Sequence, residues 1–398
     1  METDLLIQNV RPHGGPPADV LIRGGRIAEI GQVAAPARIS TLDGGGELLL
    51  PGLVEAHTHL DKSVWGMGWH KHTAGPRLID KIEGERRLKK SLGIDPARQS
   101  GRQVVQSLRM GSTHIRSHVD VDSEIGLAGI EGVMATRERY RDVIDIEIVA
   151  FPQSGLLIRQ GTTALMHDAL ALGAEVVGGL DPSAIDRDPK GHLDTIFGLA
   201  QKFARPVDIH LHEPGELGGF SLELIIERTR ALGMQGRVTV SHAFCLGMAD
   251  RDYAKMLIEE LGRAGVSVMT TGAPSRPVPP LRECADAGVV VCAGSDGIRD
   301  TWSPYGNADM LERAMIIGLR NNCRKDEEVE LALDACSMGG AKVMGIVGYG
   351  IDVGCVADLL LVPGETPTEA VVSRPAKRTV IKRGRVVVRD GAPVVTAS

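Results

Sequence analysis

Leu53-Val54-Glu55-Ala56-His57-Thr58-His59-Leu60-Asp61-Lys62 is the stretch whose reading decides the fold; it follows a glycine-rich turn, a leucine triplet and Pro51-Gly52. Side chains of an extended strand alternate between faces, so His57 and His59 share one face and Thr58 takes the other. Two neutral imidazoles side by side are half of a metal site, because catalytic sites for zinc-like ions use three or more protein ligands and keep a position open for water. A pair of core histidines would look the same in sequence, so the rest of the chain has to supply partners.

Working outward, residues 51–350 alternate strand-like and helix-like segments. Strands are expected at 53–59, 113–119, 144–150, 175–180, 207–211, 237–242, 266–270 and 289–293, with helical periodicity in intervals such as 126–141, 192–204, 222–232 and 250–264. Eight strands alternating with helices are the signature of an α/β fold, the (β/α)8 TIM barrel, whose active sites sit at the C-terminal ends of the strands. Residues 1–50 and 351–398 read instead as short strands broken by turns, with Gly24-Gly25 and Arg383-Gly384 as hairpin signals. Chain ends often lie near each other, so the two ends are expected to form one small β-sandwich module into which the catalytic barrel, 51–350, is inserted.

Composition sets outer bounds. The 398 residues are 43% hydrophobic and 24% charged, close to ordinary globular usage, and only 3% aromatic, so the core must be aliphatic. The net charge of -6 is spread without a basic block, which argues against a nucleic-acid footprint or an anionic membrane surface and leaves a small molecule as the expected partner. Cys245, Cys284, Cys292, Cys323, Cys336 and Cys355 show no CxxC pairing, as suits reduced thiols. The start of the sequence lacks a basic and apolar leader pattern, and no stretch is long and apolar enough to span a bilayer; a cytoplasmic location is expected.

Polar residues collect where the strands end. The first strand ends in His57 and His59, the second carries His114, Arg116, His118 and Asp120 on one parity, the third is followed by Gln153 and the fourth by Asp181. The fifth ends in Asp208-Ile209-His210-Leu211-His212-Glu213, the sixth in Ser241-His242 and the eighth in Gly294-Ser295-Asp296. Taken singly, His114 reads as a packed core histidine, His70, His72, His167 and His192 as solvated residues, and Asp296 as a helix cap. Yet His57, His59, His210, His242 and Asp296 all fall on the face where a barrel puts its chemistry. Such a set around a divalent ion leaves room for one water, whose pKa falls from 15.7 to about 7. Asp296 could accept that water's proton, Glu213 could shuttle it onward, and His242 could stabilise the charge that develops on attack. A second ion would usually need a bridging modified lysine at the end of the fourth strand; residues 175–182 offer none, so one ion is expected.

At this point the residues resemble the amidohydrolase superfamily, through 51–59 as its opening signature and through the split terminal module. More narrowly, the chain is similar to the cytosine deaminase and N-isopropylammelide amidohydrolase branch. The matching blocks are 58–62, 117–122, 149–155, 177–182, 239–243 and 295–302, in order along the whole barrel. The resemblance implies that His57, His59, His210 and Asp296 hold one divalent ion, Zn2+ or Fe2+, with His242 beside its water. Glu213 matches the proton shuttle of cytosine deaminases, where ammelide hydrolases carry Asp, and replacing it by Gln is expected to nearly abolish turnover. Gln153 matches the glutamine that reads the pyrimidine amide edge, and its donor and acceptor suit an N–C=O group. His118, Gly297 and Trp302 complete the expected substrate contacts. Gly297 departs from the pattern, since cytosine deaminases have a second Asp there and ammelide hydrolases Asn; a larger, less polar pocket is expected. The implied activity is hydrolytic removal of ammonia or an alkylamine from a small N-heterocycle, cytosine-, isoguanine- or ammelide-like, by a metal-activated water, in a homo-oligomer. A ring-opening cyclic-amide hydrolase of the dihydroorotase or hydantoinase kind, and a catalytically inactive barrel scaffold, are the competing readings.

Overall fold

A computed structural model of the chain describes residues 4–34, 36 and 38–394. Eight parallel strands follow one another around a barrel in sequence order: Leu53–Thr58, Ser112–Asp120, Asp145–Phe151, Val176–Leu180, Val207–His210, Val238–Ser241, Val266–Thr270 and Val291–Ala293. Each begins and ends within two residues of its expected position. Most are buried along their whole length, as parallel strands covered by crossover helices must be, and they carry buried polar residues such as His114, Arg116 and Asp208 among their aliphatic ones.

The barrel closes at its C-terminal end. The Asp296 amide donates to the His57 carbonyl at 2.9 Å, and Thr58 and Asp296 form a parallel bridge. A Cβ on Gly294 would stand 2.3 Å from that same carbonyl, so only glycine lets the last strand come this close to the first. Closure therefore brings Asp296 to the two histidines that opened the sequence reading.

Helices ring the barrel, among them Ala128–Tyr140, Pro189–Phe203, Gly215–Ala231, Arg251–Arg263 and Met310–Arg320. Their starts are capped locally where the sequence allows: Asp188, Asp250 and Asp309 each accept a backbone N–H of the first turn. A helix over Leu78–Leu92 follows the first strand and buries only Ile82 and Glu85. His192, expected to be solvated, is instead fully buried on the Pro189–Phe203 helix, with Nδ1 2.7 Å from Asp186 Oδ2.

The chain ends share one nine-stranded mixed sheet. Leu48–Pro51 pairs antiparallel with Leu359–Val362, Leu50 opposite Leu360 and Leu48 opposite Val362. Both expected hairpin turns have two consecutive left-handed residues, Gly24-Gly25 and Arg383-Gly384, the primed geometry that suits the twist of paired strands. The leucine triplet faces two ways. Leu48 and Leu50 join Leu360 and Val362 in the barrel's core, while Leu49 packs with Leu359, Leu361, Ile7 and Ile22 in a separate module core. Polar locks reinforce the junction: buried Lys382 donates to Asp358 at 2.6 Å, Asp145 at 2.7 Å and the Thr113 carbonyl at 3.1 Å. His114 sits in this cluster, buried as a packed core histidine should be. Among the described residues no helix is long and apolar enough to cross a membrane.

Candidate active site

The ligand atoms of His57, His59, His210 and Asp296 all lie within 4.8 Å of one another. Asp296 Oδ1 is 3.1 Å from His59 Nε2 and 3.7 Å from His57 Nε2. Groups bonded to one ion at about 2.0–2.2 Å are themselves roughly 3–4 Å apart, so this is the spacing of a single coordination sphere. Hydrogen bonding settles which nitrogen is free. His59 Nδ1 donates to the His118 carbonyl at 3.0 Å, which leaves Nε2 with its lone pair. Ser241 Oγ donates to Asp208 Oδ1 at 2.6 Å, so His57 Nδ1, 3.0 Å away, must donate to the hydroxyl, and again Nε2 is the basic nitrogen. His57 Nε2 and both ring nitrogens of His210 are buried without a hydrogen-bond partner among the described residues. Buried polar atoms are rarely left in that condition, and a cation between the rings would take His57 Nε2 and one nitrogen of His210. The residues present fit one divalent ion.

Electrostatics agree. Burial, helped by Lys62, pushes the His59 pKa down to about 4, and burial with the neighbouring His57 holds His210 well below its ordinary value. Both rings are neutral and able to ligate at neutral pH. Burial opposes ionisation of Asp296, but His57 and His59 hold its carboxyl well below the usual range. Asp181, His242 and Asp296, all just past strand ends, have left-handed backbones with φ of 36°, 72° and 61°. Such conformations are uncommon outside glycine and gather where a site must aim a side chain.

Beneath the ligands runs a buried chain of polar groups. Arg116 bonds Asp208 at 3.1 Å and Glu147 at 2.5 Å, and Asp208 holds Ser241 under His57. His118 belongs to this layer. It is fully buried, its ring lies 3.9 Å from that of His57, and its Nε2 is 3.6 Å from Asp208. His118, expected among the substrate contacts, lies on the barrel-interior side of His57 and away from the lining of the cavity above the ligands.

Above the ligands opens a cavity of about 550 Å³, lined by His59, His210 and Asp296 together with Gln153, Gly297 and Trp302, and by Lys62, His212, Asp300 and Arg313. Three expected substrate contacts are thus on its wall. Gln153 is more constrained than expected: its Oε1 accepts from Lys62 Nζ at 2.5 Å, which fixes the amide and leaves its N–H groups as donors for a ligand. Lys62 is pinned in turn by Asp120 at 3.2 Å and Glu85 at 3.3 Å. Glu213 does not line the cavity. Its Oε1 accepts the Ser183 and Ala184 amides at 2.7 Å and its Oε2 accepts the Ser221 hydroxyl, so the carboxylate is committed to the loop after the fourth strand. His242 is buried with both nitrogens unpartnered, Nε2 4.0 Å from Asp296 Oδ2, and stacks on His212 at 4.4 Å. His212 gives its Nδ1 to Asp181 at 2.7 Å, which leaves Nε2 as a base at the cavity.

The space beside Gly297, where an enlarged and less polar pocket was expected, holds a carboxylate. A Cβ built there would lie 1.8 Å from Asp300 Oδ2, so the Asp300 carboxylate already fills that space. Sequence reasoning missed Lys62, His212 and Asp300 as cavity residues. Lys62 and His212 lay in quoted stretches one residue from a recognised feature; the only signal for Asp300 was the missing side chain at 297.

The amidohydrolase family model (Amidohydro_3) matches residues 40–395. The N-isopropylammelide isopropyl amidohydrolase of Pseudomonas sp. (strain ADP) is 32% identical over 379 residues, 94% of each chain. Among solved structures, N-isopropylammelide isopropylaminohydrolase from Burkholderia multivorans ATCC 17616 is 47% identical, with a TM-score of 0.95 over 98% of this chain and 100% of that one. The 5-methylcytosine deaminase from Klebsiella pneumoniae, liganded with 5-fluorocytosine, is 27% identical, with a TM-score of 0.84 over 98% of both chains. With a matching family model across nearly its whole length and relatives of this coverage, the chain belongs to the amidohydrolase family.

Proposed function

We propose that the protein is a hydrolase that holds one divalent ion, zinc or iron, and removes ammonia or an alkylamine from a small N-heterocycle carrying ring carbonyls. The carrying observation is the convergence of the free Nε2 atoms of His57 and His59 with Asp296 and His210 at the edge of a cavity of about 550 Å³. The likeness to an N-isopropylammelide isopropylaminohydrolase supports the choice of leaving group. A divalent ion held there supplies Lewis acidity and an acidified water at neutral pH. The chain's own groups do the rest. Gln153, with its carbonyl engaged by Lys62, donates its amide to a ring carbonyl. Trp302, flanked by the ammonium groups of Lys62 and Lys81 at 5.4 and 5.8 Å, gives the ring an electron-rich wall. Asp296 accepts a proton at the carboxylate oxygen facing His242. His212, its tautomer set by Asp181, carries that proton to the leaving nitrogen; the resting position of Glu213 favours His212 over Glu213 for this role. Every one of these residues belongs to 51–350, which we take as the catalytic domain, with 1–50 and 351–398 as the module that braces it. The six cysteines are unpaired, which suits a reducing cytoplasm.

The test is release of ammonia and of isopropylamine across cytosine, isoguanine, ammelide, N-isopropylammelide and pterin, with elemental analysis of the purified protein. Amine release together with one ion per chain, lost on chelation and regained with zinc or iron, is the expected result. Ring-opened products with two ions per chain would replace this reading by the cyclic-amide hydrolase, and metal content near zero would replace it by the inactive scaffold.

A further inference from the structure

We propose that Asp300 is the substrate-binding acceptor of this site, taking up a ring or exocyclic N–H, and that Gly297 is glycine because the Asp300 carboxylate occupies its side-chain volume. The inference rests on the heterocycle reading above and deepens it. Three observations carry it. An ideal Cβ at 297 would meet Asp300 Oδ2 at 1.8 Å and Cγ at 2.6 Å, far inside contact distance, so residue 297 and Asp300 compete for one space. The backbone at Gly297 is not left-handed, so glycine is not there for its conformational freedom. Space is the remaining reason. Finally, the two oxygens of Asp300 are divided: Oδ1 accepts the Trp302 and Ser303 amides, both at 2.8 Å, which fixes the rotamer and turns Oδ2 toward residue 297 at the cavity.

The carboxylate is buried, so a ligand N–H meets it in a poorly solvated setting where charge-assisted hydrogen bonds count most. Together with Gln153, whose amide N–H groups are free to donate, it suits a substrate with a carbonyl toward the third strand and an N–H toward the loop after the eighth. A dioxo ring with an N–H between or beside its carbonyls has that pattern.

Two single variants and their double test the pairing. Asp300→Asn keeps an oxygen for the Trp302 and Ser303 amides while replacing the facing acceptor with a donor. Gly297→Ala introduces only the colliding Cβ, turning Asp300 away without supplying anything in exchange. Each is expected to raise KM for N-isopropylammelide, and the calorimetric Kd for ammelide, about 10-fold to 100-fold, with the loss falling mainly on KM. The double variant is expected to lose no more than the worse single one, because both remove the same contact. Gly297→Asp, which returns a carboxylate to the vacated space, is expected to lose less than Gly297→Ala. Wild-type KM and Kd in Asp300→Asn, or full additivity in the double variant, would overturn this inference alone. A wild-type protein that binds and turns over none of the rings would instead overturn the functional reading beneath it.

Discussion

Replacing Ser241 by Ala removes a single hydroxyl from beneath the candidate metal centre. That hydroxyl stands 2.6 Å from Asp208 Oδ1 and 3.0 Å from His57 Nδ1, and it obliges the histidine to keep its proton on Nδ1 and its lone pair on Nε2. In the alanine variant the Nδ1–H of a fully buried ring faces a methyl group, and the tautomer is no longer specified. Leaving one buried donor unpaired costs about 1–3 kcal/mol. Loss of an outer partner of a ligating histidine typically weakens metal binding about 10-fold to 100-fold, which is about 1.4–2.7 kcal/mol and falls inside that range. Asp208 itself is not orphaned, because Arg116 still holds it at 3.1 Å, so the fold should survive. The expected outcome is a zinc Kd raised about 10-fold to 100-fold in a competitive titration against a chromophoric chelator, while the metal-free protein melts within a few degrees of wild type. Ser241→Thr, which keeps the hydroxyl, separates the loss of the bond from a change in packing. Zinc affinity within about twofold of wild type in Ser241→Ala would refute the assignment of Nε2 as the ligating atom of His57.

Two further predictions concern the junction of barrel and module. Lys382→Met leaves Asp358 buried without its cation, and breaking a buried pair this way costs about 3–5 kcal/mol; a loss under about 1 kcal/mol in chemical denaturation would show the lysine to be incidental. Burial alone would raise the Asp145 pKa, yet His114 and Lys382 hold it below the ordinary carboxylate range, so the folded protein binds this proton more weakly than the unfolded chain. Its stabilisation is therefore complete above the unfolded value of about 4 and drains away as pH falls below it. Melting temperature followed from about pH 6 to about pH 3 should fall less steeply in Asp145→Asn than in wild type, and parallel curves would contradict the sign.

The barrel strands were legible as short aliphatic and β-branched segments alternating with helical periodicity, and histidines and acids at their C-terminal ends stood out against that background. His57, His59, His210 and Asp296 were singled out for this reason. The Leu78–Leu92 helix was not, since its middle is mostly charged and it buries Glu85 against Lys62, a pairing that exists only in three dimensions. His192 looked solvated because its partner Asp186 lies in a loop, off any helical repeat. His118 and Gln153 looked alike as strand-end residues. Strand parity separates inside from outside in a flat sheet, but in a closed barrel it does not say whether a side chain sits above or below the ligands. Asp300 was invisible because its role depends on a turn that folds it back onto a residue with no side chain.

The ladder between Leu48–Pro51 and Leu359–Val362 governs when the site can come into being during synthesis. The first of these strands is made long before its partner, and until residues 359–362 follow it is apolar on both faces with one edge unpaired. The strand bearing His57 follows directly and is anchored through that ladder. Growing chains therefore hold the metal-binding histidines on an unfinished scaffold, and a product interrupted before residue 359 lacks the strand that fixes them. Until residues 359–362 are made, the segment leading into the His57 strand keeps an exposed, apolar sheet edge.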